Sequence, residues 1–291
     1  MKVSVIIPVF NDADALPELL ARLQATAHRQ SWALEVLLVD DGSREEIWVR
    51  EEALLAAMPE LDMTLVRLNR NHGQSLATLQ GLLLACGDYL VTLDADLQHP
   101  PESIPALLSA LTHGDYPLVY ASNRNGHGVF RRALGTMRRL LVAPLGTSLP
   151  QASSFRALER TFFDVQVRSD SERIFSIDEA FSWSAPGASL VDTPHHSRKY
   201  NASSYTLPRL LCFAARSAWY SLHLPRGLLV FSLALMSLAM LLNERGWNMA
   251  VLGLGIAAVL LLGASILARR CRSLHRPGQG LRIVKTIRSQ D

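Results

Sequence analysis

Along the first 121 residues, five short apolar runs recur: Val3–Ile7, Leu34–Val39, Met63–Leu68, Asp88–Leu93 and Leu118–Ala121. Each is brief and rich in Val, Ile and Leu, the composition of a strand buried in a sheet. Helical spacing fills the gaps. Leu16, Leu19, Leu20 and Leu23 share one helix face, and Gly73–Cys86 is an apolar helix stopped by Gly87. Asn11, Asp12 and Asp14 offer N-caps to the first helix. Ser43 with Glu46 reads as a capping box for the second, and Pro100 and Pro101 open a later one. Strand–helix units of about 30 residues imply crossover connections, and so a mostly parallel α/β sheet with helices on both faces. Ligands of such sheets bind beyond the carboxyl ends of the strands. The clusters Phe10–Asp12, Asp40–Ser43 and Asp94–Gln98 all fall at those ends.

Charge is unevenly spread. Residues 1–120 hold 7 Lys/Arg against 17 Asp/Glu, residues 121–226 hold 14 against 7, and residues 227–291 hold 8 against 2. An acidic front suits a divalent cation, and a basic back suits phosphates or anionic lipid heads; nucleic acid is not an expected partner. Cys86, Cys212 and Cys271 are scattered and lack metal-ligand spacing, so a reducing compartment without structural disulfides is expected. Met1–Phe10 runs into a strand with no apolar signal region, so this α/β part of the chain is expected to stay in the cytoplasm.

Beyond residue 121 the pattern changes. Arg131–Leu145 reads as a basic amphipathic helix and Leu190–Asp192 as a further strand. Tyr205–Leu224 mixes Leu, Phe, Trp and Tyr with Arg209 and Arg216, as a helix lying in a membrane interface does. Residues 227–242 and 249–268 contain no charged residue, and each is about long enough to cross a hydrocarbon core. Arg269, Arg270 and Arg272 follow, so the positive-inside rule predicts a hairpin with both ends in the cytoplasm. The expected organisation is a cytoplasmic α/β domain over 1–204, an interfacial helix over 205–226, a transmembrane hairpin over 227–268 and a basic cytoplasmic tail over 269–291, of which Leu274–Asp291 is expected to lie against the inner leaflet. An inner-membrane, multi-pass protein is thereby predicted.

Two carboxylates two residues apart, Asp94 and Asp96, end the fourth strand. They repel each other unless a cation lies between them, and hard oxygen ligands there suit Mg²⁺ or Mn²⁺. Four blocks occur in order: Val3-Ser-Val-Ile-Ile-Pro-Val-Phe-Asn-Asp12, Leu38-Val-Asp-Asp-Gly-Ser43, Arg70-Asn-His-Gly-Gln74 and Thr92-Leu-Asp-Ala-Asp-Leu-Gln-His-Pro-Pro101. Together they resemble the opening of family 2 glycosyltransferases of the GT-A, Rossmann-like fold. The form of the third and fourth blocks is similar to the polyprenyl-phosphate branch, which includes dolichyl-phosphate mannose synthase and the undecaprenyl-phosphate sugar transferases. The likeness covers roughly residues 1–225.

That resemblance implies inverting transfer of a sugar from a nucleotide-sugar, UDP-linked by preference and GDP-linked as an alternative, to a polyprenyl phosphate. It implies that Pro8, Phe10, Asp12, Val39 and Asp41 hold the base and ribose, with Ala95 beside them. Asp94, Asp96 and Gln98 fall on the metal and diphosphate positions. Arg124 matches an arginine near the phosphates and Arg131 a second one. Ser153-Ser-Phe-Arg-Ala-Leu158 looks like the acceptor-loop block, with Ser153 and Ser154 toward the lipid phosphate. Arg198-Lys-Tyr-Asn-Ala-Ser-Ser-Tyr205 resembles a further block, in which Asn201 stands for Gly and Ser204 for Lys. Arg198 there is expected to contact phosphate, and relatives imply self-association. His195-His196, read as neighbours on a strand, would point to opposite faces and share no metal. A processive polysaccharide synthase would carry Q-x-x-R-W and more membrane helices, which this chain does not. A glycosyltransferase with a protein or soluble sugar acceptor is one alternative, and an inactive membrane scaffold that keeps the fold is the alternative from another class. The identity of the sugar is not written in these motifs.

Overall fold

The computed structural model describes residues 1–122, 153–168, 177–185, 187–196 and 281–289. The chain divides into two compact units, one of Met1–Ala202 with Gly280–Asp291 and one of Ser203–Gln279. All described residues belong to the first. The helix expected over 205–226, the hairpin over 227–268 and the basic helix Arg131–Leu145 lie outside the described residues. Among the described residues, no helix is long and apolar enough to cross a membrane.

The five runs become strands β1 (Lys2–Val9), β2 (Ala33–Asp40), β3 (Asp62–Leu68), β4 (Tyr89–Thr92) and β5 (Leu118–Ser122). Three further strands join them: β6 (Arg156–Glu159), β7 (Ser189–Asp192) and β8 (Ile283–Arg288). The sheet order is β7-β5-β6-β4-β1-β2-β3-β8. β1 pairs in parallel with β2 and β4, β2 with β3, and β5 with β7. β6 runs antiparallel between β4 and β5. The mostly parallel Rossmann-like sheet is therefore present, with one reversed strand in its interior.

The helices are α1 (Leu16–Gln30), α2 (Glu45–Ala57), α3 (Gln74–Leu84), α4 (Ile104–His113, after a 3₁₀ turn at Pro101–Ser103), α5 (Arg160–Gln166) and α6 (Ile177–Ser184). Alternation along the strands sorts them into two layers. Val3, Val5 and Ile7 of β1 pack with Leu16, Leu19, Leu20 and Leu23 of α1, Trp48 of α2 and Leu107 of α4. Ile6 of the same strand packs in a second cluster with Leu79 and Leu82 of α3, Phe163 of α5 and Phe181 of α6. Each buried aliphatic side chain contributes about 1.5–3 kcal/mol of transfer free energy, so both faces of β1 favour this sandwich.

Three expectations are corrected. The caps proposed for α1 are not used: Asn11 has a left-handed φ of 52°, Asp14 pairs with Arg50 at 2.7 Å, and the helix opens on a proline at its first turn. The Ser43–Glu46 capping box does not form. Ser43 Oγ instead accepts the N–H of Asn11 at 2.8 Å, and Arg44 stands at the N-cap position of α2 without a side-chain cap. Part of the tail, expected only as a basic segment, folds into the sheet. Ile283–Arg288 is an edge strand antiparallel to β3, with Ile287 against the core and Lys285 paired to Glu52.

One buried group stands apart from this packing. Glu51 on α2 is 0% exposed, and neither carboxyl oxygen has a hydrogen bond. Burial, reinforced by Asp40 and opposed by Arg67, pushes its carboxyl up to about 9.

Candidate active site

The carboxyl ends of β1, β2 and β4 meet in one place, and their loops are tied to one another by side chains. Asn11 donates its N–H to Ser43 Oγ at 2.8 Å, and its Oδ1 accepts the N–H of Arg44 at 2.9 Å. Asp40 Oδ1 accepts the Ser43 N–H at 2.9 Å. Gly42 has φ 72°, and a Cβ there would lie 2.5 Å from the Arg70 backbone. Only glycine lets the β2 loop run that close to the β3 loop.

Asp41 is buried, and its carboxylate receives two backbone N–H groups, from His72 at 2.7 Å and Gly73 at 2.8 Å. Burial nevertheless pushes its carboxyl up to about 6, the two N–H groups pulling it down and neighbouring Asp40 pushing it further up. Phe10, 43% exposed, closes the same corner and leaves an apolar surface at a strand end. Pro8 and Asp12 are partly exposed beside it. Val39 is fully buried with Val66, Leu68 and Ala77, so its side chain packs in the core and only its backbone borders the cleft.

At the end of β4, Asp94 is held from two sides. Gln74 Nε2 donates to Oδ1, and Ser154 Oγ donates to Oδ2 at 2.6 Å. Asp96, 6% exposed, accepts the N–H of Gln98 at 3.1 Å on Oδ1, and Leu97 between them has φ 60°. Ala95 and the Gln98 side chain are partly exposed. Ser153 Oγ accepts the N–H of Phe155 at 3.2 Å, steering the chain into β6.

Each carboxylate oxygen has two lone pairs, so accepting one hydrogen bond does not by itself prevent an oxygen from ligating a cation. Among the described residues there is no group of three or more His, Cys, Asp and Glu placed to hold a metal. Two carboxylates and an amide oxygen would give an incomplete oxygen shell. That donor set fits Mg²⁺ or Mn²⁺, which keep waters and take the remainder from substrate phosphates.

The two adjacent histidines are not on a strand, since β7 ends at Asp192. His196 N–H bonds the Gln98 carbonyl at 2.9 Å. The His195 ring meets His99 edge-on at 4.9 Å, and His99 also lies 5.2 Å from Phe155. Burial, with His195 beside it, lowers His99 to about 4. The two histidines therefore brace the Asp94–Gln98 loop from the β7 side.

Residues 4–174 match the glycosyl transferase family 2 domain. This chain belongs to glycosyl transferase family 2. Over 214 residues, 72% of its length, it is 33% identical to an undecaprenyl-phosphate 4-deoxy-4-formamido-L-arabinose transferase of Salmonella paratyphi A. It is 32% identical over the same length to the corresponding transferase of Salmonella paratyphi B. Those alignments cover 64% of each relative, so the chain spans just under two thirds of the curated relatives it matches. Among solved structures, it resembles glucosyl-3-phosphoglycerate synthase from Mycobacterium tuberculosis with Mg²⁺ and uridine-diphosphate, at TM-score 0.52 and 17% identity, covering 76% of this chain and 78% of the other. The S. aureus TarS 1–349 structure with UDP-GlcNAc gives TM-score 0.52 and 18% identity, covering 76% and 66%. At those identities the likeness is one of fold, the GT-A sheet.

Within this family 2 fold the sequence blocks acquire partners. The Arg70–Gln74 block carried no assigned role, yet Gln74 grips Asp94, and the His72 and Gly73 amides grip Asp41. Asn11 and Gln74 are the site residues that pattern reading passed over, although both lie inside quoted motifs. Arg124, Arg131 and Arg198 lie outside the described residues, as do Lys199, Asn201 and Ser204.

Proposed function

We propose that this chain transfers a sugar, with inversion, from a nucleotide-sugar to a polyprenyl phosphate such as undecaprenyl phosphate, at the cytoplasmic face of the membrane. The observation that carries the reading is Asp94, fixed by Gln74 and Ser154 beside Asp96 at the end of β4. The identity to undecaprenyl-phosphate transferases supports the acceptor class. Both structural neighbours named above hold a uridine nucleotide, which makes UDP-sugars the first donors to try.

Phe10, Pro8, Asp12, Asp41 and the Val39 backbone form the corner proposed for base and ribose. Asp94, Asp96 and Gln98 would hold Mg²⁺ or Mn²⁺, which neutralises charge developing on the leaving nucleoside diphosphate. A lipid phosphate monoester has a second pKa near ~6 and is largely dianionic at neutral pH, so it needs no strong general base. What the protein must supply is positive charge between two anions. Arg124, Arg131 and Arg198 are the proposed sources, each able to bind phosphate through a bidentate fork, with Ser153 and Ser154 at the acceptor side. The apolar segments 227–242 and 249–268 are proposed as the membrane hairpin that keeps this site at headgroup depth, and self-association is proposed from the family.

The test is direct. Detergent-purified protein is incubated with Mg²⁺, undecaprenyl phosphate and a panel of radiolabelled nucleotide-sugars, and the lipid phase is extracted. Label from one donor, lost with EDTA and reduced at least about 100-fold in Asp96→Ala, is the expected result. Undiminished transfer by Asp96→Ala refutes the metal role, and folded protein that labels lipid from no donor refutes the acceptor.

A further inference from the structure

Ser154, one of the two groups that fix Asp94, is itself held from behind. Thr92, the last residue of β4, donates its hydroxyl to the Ser154 carbonyl at 2.6 Å. That hydroxyl accepts the Nε–H of Arg156 at 3.0 Å. Arg156 is 4% exposed, donates from Nη1 to Asp178 on α6, and lies 5.8 Å over the Tyr120 ring and 5.5 Å over the Phe181 ring. An unbroken line of hydrogen bonds thus runs from a helix on one face of the sheet to the carboxylate at its carboxyl edge.

We propose that Arg156 is a positioning residue for Asp94, acting through the Thr92 hydroxyl and Ser154 as a relay anchored on Asp178. This rests on the reading of Asp94 as a ligand of the donor-site metal.

The physical case has three parts. A planar guanidinium pinned between two rings and a carboxylate has one orientation, so its Nε–H presents a fixed direction to Thr92. A hydroxyl has a single proton, and Arg156 occupies an acceptor lone pair of Thr92, which leaves that proton for the Ser154 carbonyl. The Ser154 backbone is thereby placed, and its Oγ reaches Asp94 Oδ2 at 2.6 Å. Phe155 between them faces the opposite layer, where it meets His99. The Ser-Phe-Arg spacing therefore puts Ser154 and Arg156 on one side and the spacer on the other, as strand alternation requires. A charge buried only to fasten α6 to the sheet would not need a further contact on Thr92, two positions before Asp94.

The test uses full-length protein in detergent, with Mn²⁺ binding read by electron paramagnetic resonance beside kcat and KM for the donor. Thr92→Val removes both hydrogen bonds at nearly constant volume. It is expected to weaken Mn²⁺ about tenfold and lower kcat/KM in parallel, whereas Thr92→Ser, which keeps the hydroxyl, returns both to within about twofold. Arg156→Lys, which keeps the charge and loses the planar fork, should behave like Thr92→Val. In Thr92→Val/Ser154→Ala the loss should equal that of Ser154→Ala alone, because the relay has no other exit. Thr92→Val that lowers the melting temperature while leaving Mn²⁺ affinity and kcat/KM unchanged overturns the relay, as does full additivity with Ser154→Ala. Wild-type protein that binds no Mn²⁺ overturns the metal reading itself and the relay with it.

Discussion

Replacing Glu51 with glutamine should flatten the dependence of stability on pH above neutrality. The carboxyl is fully buried without a hydrogen bond, and burial raises it from 4.5 to about 9. The folded state therefore keeps a proton that the unfolded chain releases above pH ~4.5, so stability falls as pH rises through that window. Between pH 7.0 and 8.5 the group costs about 2 kcal/mol, taking about 1.4 kcal/mol per pH unit and saturation near 9. That interval lies above His99, lowered to about 4, and Asp41, raised to about 6, so neither contributes to the slope. Glutamine has the same shape and no proton to lose. Urea unfolding of the detergent-solubilised protein, followed by tryptophan fluorescence, to which the buried Trp48 on the same helix contributes, is the assay. At an m-value of about 2–3 kcal/mol/M, the wild-type midpoint should drop by about 0.7–1 M between the two pH values, and that of Glu51→Gln should drop far less. Equal slopes for the two proteins would show that Glu51 is ionised or solvated in the fold, and would refute the reasoning.

Three further outcomes are expected. Gly42→Ala places a methyl against the Arg70 backbone at a φ of 72°, so it should cost more than the about 1 kcal/mol typical of a strained glycine site and should weaken UDP binding by calorimetry. Asp41→Ala leaves the His72 and Gly73 N–H groups without their acceptor, a loss of about 1–3 kcal/mol each where they stay buried; chemical denaturation measures it, and an unchanged midpoint would show that water replaces the carboxylate. Phe10→Ala should raise the Kd for UDP by roughly tenfold, since a stacked aromatic ring is worth about 0.5–1.5 kcal/mol beyond its buried area, while leaving the melting temperature nearly unchanged because the ring is exposed.

The strands β1 to β5 were legible because each is a dense apolar run with nothing else to become. β6 and β8 were not, for separate reasons. Arg156 and Glu159 bound a run of four residues whose burial depends on a partner, Asp178, that lies on another element. In β8, alternating Ile, Lys and Ile were masked by the basic character of the tail around them. The site shows the same division. The aspartates at the ends of β2 and β4 were visible as clusters, and the blocks around Gln74 and Ser154 were visible as motifs. That both blocks converge on one carboxylate was not, since contacts across 20 and 60 residues leave no local period. The capping box failed on the same ground: the Ser43 hydroxyl had a long-range suitor in Asn11, 32 positions away.

β8 has a further meaning for how the molecule is made. Met63 of β3 donates to Ser289, 226 residues along the chain, and β8, which ends just before Ser289, cannot pair with β3 until residues 203–279 have been synthesised. Until then β3 presents bare N–H and C=O groups, an open template for the strand of another chain. A fragment ending near residue 202 would carry that open edge permanently. Protection of the β3 edge thus depends on a segment made last, and a chain that stops before residue 283 should aggregate through β3.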